Sequence, residues 1–220
     1  MSLLLAGLTV LVIGDSHMAT KDYLITTLHD ELMQQGAKVY SYGACGSASG
    51  DWMKVTKPEC GTAFRLDAGP LWERQGEAAI SKALPDLVSL HHPDLIVVVN
   101  GDTMAGYKDA SMPKPWIRDE VRTLTNGIKA TGTACLWVGP AWGGEGHFHK
   151  TDARVQELSN FLADNVAPCS YINSLTMSKP GEWTTISGDG QHFSKAGYLS
   201  WGHDIASQIV SSDVVAKIKH

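Results

Sequence analysis

Apolar runs and amphipathic stretches alternate along this chain. Thr9 to Gly14 is almost continuously apolar and partly β-branched, which suits a strand covered on both faces. From Thr20 to Gln35 the pattern changes: Tyr23, Leu24, Leu28 and Leu32 recur at helical spacing, and Gly36 supplies the stop. Lys38 to Tyr42 predicts a second strand, and the Gly- and Ser-rich stretch from Gly43 to Pro70 predicts a long irregular loop. A short helix over Asp86–His91, closed by Pro93, precedes the wholly apolar run Leu95–Val99, a third strand. Helices over Trp116–Thr131, Asp152–Asn165 and Lys195–Ser211 then alternate with strands over Ala134–Gly139 and Tyr171–Asn173.

Strands separated by helices predict an α/β fold. The expected architecture is a three-layer α/β/α sandwich around a five-stranded parallel sheet in the flavodoxin-like order 2-1-3-4-5. A length of 220 residues suits a single domain over 1–220. In this order the loops after the first three strands open at neighbouring carboxyl ends. Ser16, Gly46 and Asp102 are then expected around one crevice.

Two short segments carry the candidate chemistry. Gly14-Asp15-Ser16-His17 follows the first strand, where a helix is expected to begin, and Asp189-Gly190-Gln191-His192 lies in a polar loop before the last helix. A serine hydroxyl is a weak nucleophile until a base takes its proton. An imidazole base in turn needs a carboxylate to fix its tautomer and stabilise its charge. Ser16, His192 and Asp189 supply those three groups. Either segment alone is ordinary punctuation, a helix cap or a surface turn.

Composition narrows the function classes. The net charge of -5, with 43% hydrophobic and 19% charged residues, lacks the basic face that a nucleic-acid partner requires. No stretch is long enough for a membrane span. Leu3–Ile13 lacks the basic region and cleavage site of a signal peptide, and its second half reads as the first core strand; a leader removed ahead of this numbering stays open.

Cys45, Cys60, Cys135 and Cys169 show no metal-ligand spacing. They are either buried thiols or two disulfides. The pairing expected is Cys45–Cys60, pinning the long loop, with Cys135–Cys169, joining two neighbouring strands. Disulfides would place the protein in the periplasm or outside the cell, and free thiols would allow the cytoplasm.

With these segments in place, the sequence resembles the SGNH (GDSL-like) hydrolase family over nearly its whole length. Gly14-Asp15-Ser16 resembles the nucleophile block, and Gly43-Ala44-Cys45-Gly46 the block whose glycine donates a backbone N–H. Asn100-Gly101-Asp102-Thr103 occupies the place of the Gly-x-Asn-Asp block, and Asp189-Gly190-Gln191-His192 resembles the Asp-x-x-His block. The resemblance implies Ser16 as nucleophile, His192 as base, Asp189 as its partner, and an oxyanion hole built on the N–H groups of Ser16 and Gly46. It implies no metal and no organic cofactor.

The third block departs from the family pattern. The family's oxyanion asparagine falls on Asp102, and an ionised carboxylate cannot donate a hydrogen bond. Three expectations follow: Asp102 is kept protonated by burial, Asn100 swings in as the donor, or the hole works with two backbone donors alone.

The remaining features have plain readings. His147 and His149 lack carboxylate or thiolate neighbours in sequence and read as a polar loop. Trp142 and Trp183 lie in loops where they could stack on a sugar ring, as could Trp52 and Trp116, though anchoring the loops would serve as well.

The leading function is a serine esterase acting on a small ester or an acylated carbohydrate, with a carbohydrate O-acetyl ester as the substrate to test first. An acyltransferase on the same fold differs only in the acceptor. A glycan-binding module with a decayed site is the reading from another class, with Asp102 as the mark of decay.

Overall fold

The computed structural model describes residues 3–219. Its centre is a sheet of strands β1 (Thr9–Gly14), β2 (Lys38–Ala44), β3 (Thr62–Leu66), β4 (Leu71–Arg74), β5 (Leu95–Val99), β6 (Ala134–Val138) and β7 (Ser170–Ile172), arranged in the order β4-β3-β2-β1-β5-β6-β7. The five parallel strands β2-β1-β5-β6-β7 reproduce the expected 2-1-3-4-5 order.

The expected strand number is corrected from five to seven. β3 and β4 form an antiparallel hairpin inside the segment that reads as an irregular loop, and they extend the sheet beyond β2. Their turn runs through Asp67, in the left-handed region at φ 49, and Gly69, whose N–H donates to the Leu66 carbonyl at 2.9 Å.

Helices cover both faces. α1 (Leu24–Gln34), α5 (Lys195–Val210) and α6 (Asp213–Ile218) pack on one side, and α2 (Leu84–His91), α3 (Lys114–Thr131) and α4 (Asp152–Asn165) on the other. The strand pleat divides the core accordingly. Val10 and Val12 of β1 face the α1–α5 layer, and Leu11 and Ile13 face the α2–α3 layer. Neither face of β1 meets water, which explains its unbroken apolar sequence.

Register builds the site. Gly14 pairs with Gly43 on β2 and with Val99 on β5, so three strands end at one level and their loops leave side by side. The segment after β1 then crosses the end of β2. A Cβ on Gly43 would lie 2.0 Å from the Met18 carbonyl oxygen, so this crossing requires glycine. Hydroxyl caps set the helices that follow the other site loops. Thr151 accepts from the Arg154 N–H at the start of α4, and Ser194 accepts from the Gly197 N–H at the start of α5.

Candidate active site

The segment after β1 is a single 3-10 turn, Ser16–Met18, and α1 begins only at Leu24. This corrects the expectation of a helix N-terminus at Ser16, since the helix expected from Thr20 starts at Leu24. One turn is too short to build a helix macrodipole, and the N–H groups of His17, Met18 and Ala19 are already bonded to Asp15 and Ser16. Asp15 shapes the turn. One of its carboxylate oxygens accepts from the His17 N–H at 3.1 Å, and the other accepts from the Gly101 N–H at 3.3 Å. Burial raises the Asp15 pKa, against the lowering effect of His17.

Ser16, His192 and Asp189 meet at this turn. His192 Nε2 lies 2.7 Å from Ser16 Oγ, and His192 Nδ1 lies 2.9 Å from Asp189 Oδ2. Asp189 Oδ1 also accepts from the backbone N–H groups of Gln191 and His192, at 2.8 and 2.6 Å. Burial alone would raise the Asp189 pKa, but these bonds outweigh it and hold the carboxyl below its ordinary value. The loop is braced from outside: the Gly144 N–H donates to the Gly190 carbonyl, and the His147 N–H to the Gly188 carbonyl. Around the imidazole, Tyr23 stacks at 5.7 Å and Phe148 meets it edge-on at 5.5 Å. Burial lowers the His192 pKa and His17 lowers it further, while Asp189 opposes both. The imidazole is therefore neutral at pH 7 and free to accept a proton.

Gly46 sits beside this group with φ +78, a left-handed backbone that suits glycine. Among the described residues, neither the Gly46 nor the Ser16 N–H has a backbone or side-chain acceptor. Cys45 and Cys60 form a disulfide next to Gly46, and Cys135 and Cys169 form a second one, as the sequence leads one to expect. Ser16, Gly46, Asp102, His192, Phe148 and the Cys45–Cys60 disulfide line a crevice of about 390 Å³.

Asp102 faces that crevice, and two of the expectations for it are overturned. It is not a protonated donor. Tyr107 donates to Asp102 Oδ1, while Lys150 Nζ and His17 Nε2 both reach Oδ2, at 2.7 and 2.8 Å. Burial alone would raise its pKa, yet Lys150 and His17 outweigh burial and hold the carboxyl well below its ordinary range. Nor does Asn100 swing in. Its amide Nδ2 donates to the Ser47 carbonyl at 3.0 Å, which also accepts from Thr103 at 2.7 Å. Asn100 thus ties the segment after Gly46 to the end of β5. What is left of the three expectations is a hole with two backbone donors.

Lys150 escapes the sequence reading altogether. Its partner lies 48 residues away, and its local setting, just before the Thr151 cap, suggests only a surface loop. The one available signal is indirect: an aspartate in a neutral donor's place calls for a counter-charge somewhere in the fold. His17 is likewise recruited, with Nδ1 2.8 Å from the Tyr198 hydroxyl on α5.

The tryptophan expectations are corrected. Trp142 donates its indole N–H to the carbonyls of Leu175 and Ser178, and Trp183 packs against Phe193 and Trp201; neither lines the crevice. Trp52 is buried, and Trp116 is exposed on α3. Trp142 and Trp183 anchor loops, because their partners are carbonyls and core aromatics. His147 bonds to the Gly188 carbonyl, and no cluster of metal-ligating side chains occurs among the described residues. No described helix is long and apolar enough to cross a membrane.

Comparison with known proteins agrees with this fold. Protein BcsX of Komagataeibacter xylinus is 42% identical over 208 residues, covering 93% of this chain and 78% of that protein. A catalytic mutant of Axe2, an acetylxylan esterase from Geobacillus stearothermophilus, superposes with a TM-score of 0.58 at 12% identity, covering 96% of this chain and 97% of the other. A GDSL-like lipase from Bacteroides thetaiotaomicron superposes with a TM-score of 0.56 at 13% identity, covering 92% and 87%. No protein-family model matches the chain.

Proposed function

Since the chain belongs to the family of protein BcsX and carries the SGNH hydrolase-like fold, we propose that it is a serine esterase working through an acyl-enzyme on Ser16. One observation carries the reading: Ser16 Oγ, His192 and Asp189 are joined in series at 2.7 and 2.9 Å on the wall of a crevice.

Ser16 Oγ attacks the ester carbonyl while His192 Nε2 takes its proton, and Asp189 stabilises the imidazolium that forms. The N–H groups of Ser16 and Gly46 receive the developing oxyanion. His192 then returns the proton to the departing alcohol. Water, deprotonated by the same imidazole, releases the acid and restores Ser16.

The proposed substrate is the O-acetyl ester of a carbohydrate. A crevice of about 390 Å³ suits a short acyl group beside the nucleophile, and the solved neighbour Axe2 is an acetylxylan esterase. The two disulfides support an oxidising compartment, the periplasm or the outside of the cell.

Labelling tests the reading. Ser16 should react with a fluorophosphonate, the protein should hydrolyse p-nitrophenyl acetate, and Ser16→Ala should lose both. Release of acetate from an acetylated polysaccharide would place the substrate. Acetyl transfer to an added sugar in preference to water would make the protein a transferase. No labelling and no turnover of short or long esters would reject the esterase.

A further inference from the structure

Behind the proposed catalytic group lies a buried ion pair that the esterase mechanism does not use. Lys150 and Asp102 meet at 2.7 Å with side chains 0% and 1% exposed. Asp102 is the only acceptor found for the Lys150 ammonium among the described residues. Withdrawing two charges from water is costly, and attraction within such a pair often does no more than offset that cost. A hydrophobic pair would serve stability as well, so the location of this one is informative. Asp102 lines the crevice with Ser16 and Gly46, at the position where the resembling family carries a neutral donor.

We infer that Lys150 and Asp102 act as one unit that replaces a neutral donor beside the oxyanion site, with Lys150 as a positioning residue acting through Asp102. The inference rests on the esterase reading. Its physical content is a balance of charge. A bare carboxylate in this wall would repel the developing oxyanion, and an unpaired ammonium would be stranded without water. Together they present no net charge to the reacting carbonyl.

The pair also fixes geometry. Asp102 is ionised, so the His17 proton facing it must sit on Nε2. Its other nitrogen, Nδ1, lies 2.8 Å from the Tyr198 hydroxyl. His17 follows Ser16 directly, so the chain Lys150–Asp102–His17–Tyr198 clamps the nucleophile turn between the loops after β5 and β6 and helix α5. On its other oxygen Asp102 holds Tyr107, and burial together with Asp102 raises the Tyr107 pKa well above its ordinary value. That hydroxyl stays protonated and remains a donor. Arg154 secures the same segment by donating to the carbonyls of Ala105, Gly106 and Asp109.

A double-variant cycle tests the unit. Parent, Asp102→Asn, Lys150→Met and the double variant are compared by kcat and KM on p-nitrophenyl acetate, by the rate of fluorophosphonate labelling and by thermal midpoint. Each single variant should lose kcat by roughly ten- to a hundred-fold with little change in KM, and should melt earlier, because each leaves one buried charge unpaired. The double variant carries a neutral amide and no stranded charge. Its kcat should return to within about tenfold of the parent, and it should melt later than either single variant.

Where a single variant does not fold, folding of the double variant supports the unit, and its failure to fold overturns it. Losses that multiply in the double variant, or single variants that keep the parent's kcat, also overturn it. A parent that hydrolyses no ester and takes up no fluorophosphonate defeats the esterase reading and this inference together. An active parent with an additive cycle defeats this inference alone.

Discussion

His192 and His17 each hold a carboxylate, at 2.9 and 2.8 Å, and their ring centroids lie 5.2 Å apart. Their surroundings differ in almost every other respect. In the His192–Asp189 pair the side chains keep 12% and 16% exposure, and among the described residues Asp189 is satisfied only by its own loop. In the His17–Asp102 pair exposure falls to 3% and 1%, and the carboxylate is shared with an ammonium and a phenol. The first imidazole has one nitrogen on a hydroxyl in an open crevice. The second has both nitrogens committed inside the protein. The same two residue types therefore suit opposite tasks. A proton carrier needs a free face and a partner that does not fix it in one charge state. A positioning pair needs every lone pair and every proton taken.

Removing the open pair should give the largest effect. Ser16→Ala and His192→Ala should each lower kcat on p-nitrophenyl acetate by about 10⁴-fold, with thermal midpoints near the parent's, since the groups work as a unit and Ser16 supports little else. A loss below tenfold in either would assign the proton transfer elsewhere.

A third histidine shows what burial does when no carboxylate bonds to the ring. His29 is fully buried on α1, with Nδ1 2.8 Å from the Ser41 hydroxyl and Nε2 3.0 Å from the Asp67 carbonyl. Burial, opposed in part by the Asp67 carbonyl, lowers its pKa from 6.5 to about 4. The folded state then binds fewer protons than the unfolded chain. Stability is fully present above pH 6.5 and is lost as the pH falls towards 4, by on the order of 3 kcal/mol. Denaturant titrations of parent and His29→Gln across that window should show a smaller pH slope in the variant. An equal slope would remove His29 as the cause.

His17→Gln should have a smaller effect on rate than His192→Ala. Asp102 keeps Lys150 and Tyr107, so the site loses one strut and no proton carrier. A fall in kcat of about tenfold is expected, against about 10⁴-fold for the open pair. Equal losses would erase the distinction between the two pairs.

Sequence made the open pair legible and left the buried one dark. Asp189 and His192 are three residues apart in one loop, and Ser16 stands at the end of a strand whose apolar run is unmistakable. Adjacency in sequence exposes such a group. The disulfides were readable for a related reason, since Cys135 and Cys169 lie on or beside strands whose order follows from alternation with helices. Lys150, Asp102, His17 and Tyr198 converge from four separate segments, and no local spacing records that. The β3–β4 hairpin escaped because its strands are short and half-exposed, which weakens alternation and leaves the glycines dominant. Trp142 and Trp183 misled because a tryptophan in a loop has the same sequence signature whether it faces a ligand or a neighbouring carbonyl.

The smallest effect asks whether the two pairs communicate. Ester hydrolysis requires neutral His192, so kcat/KM should be flat near neutral pH and fall as the pH drops through the His192 pKa. Burial sets that pKa below 6.5, His17 pushes it lower still, and Asp189 and Asp102 push it back up. His17→Gln removes one downward contribution. The acid limb of the variant should therefore move to higher pH, while the remaining activity at the plateau is retained. Asp189→Asn removes an upward contribution, and its limb should move to lower pH on top of a much larger loss of rate. A full pH–rate series on the parent and both variants gives three midpoints, expected in the order Asp189→Asn, parent, His17→Gln from low pH to high. If His17→Gln leaves the midpoint where it was, the buried pair holds the nucleophile turn in place without influencing the base. The 5.2 Å between the rings would then separate two independent devices.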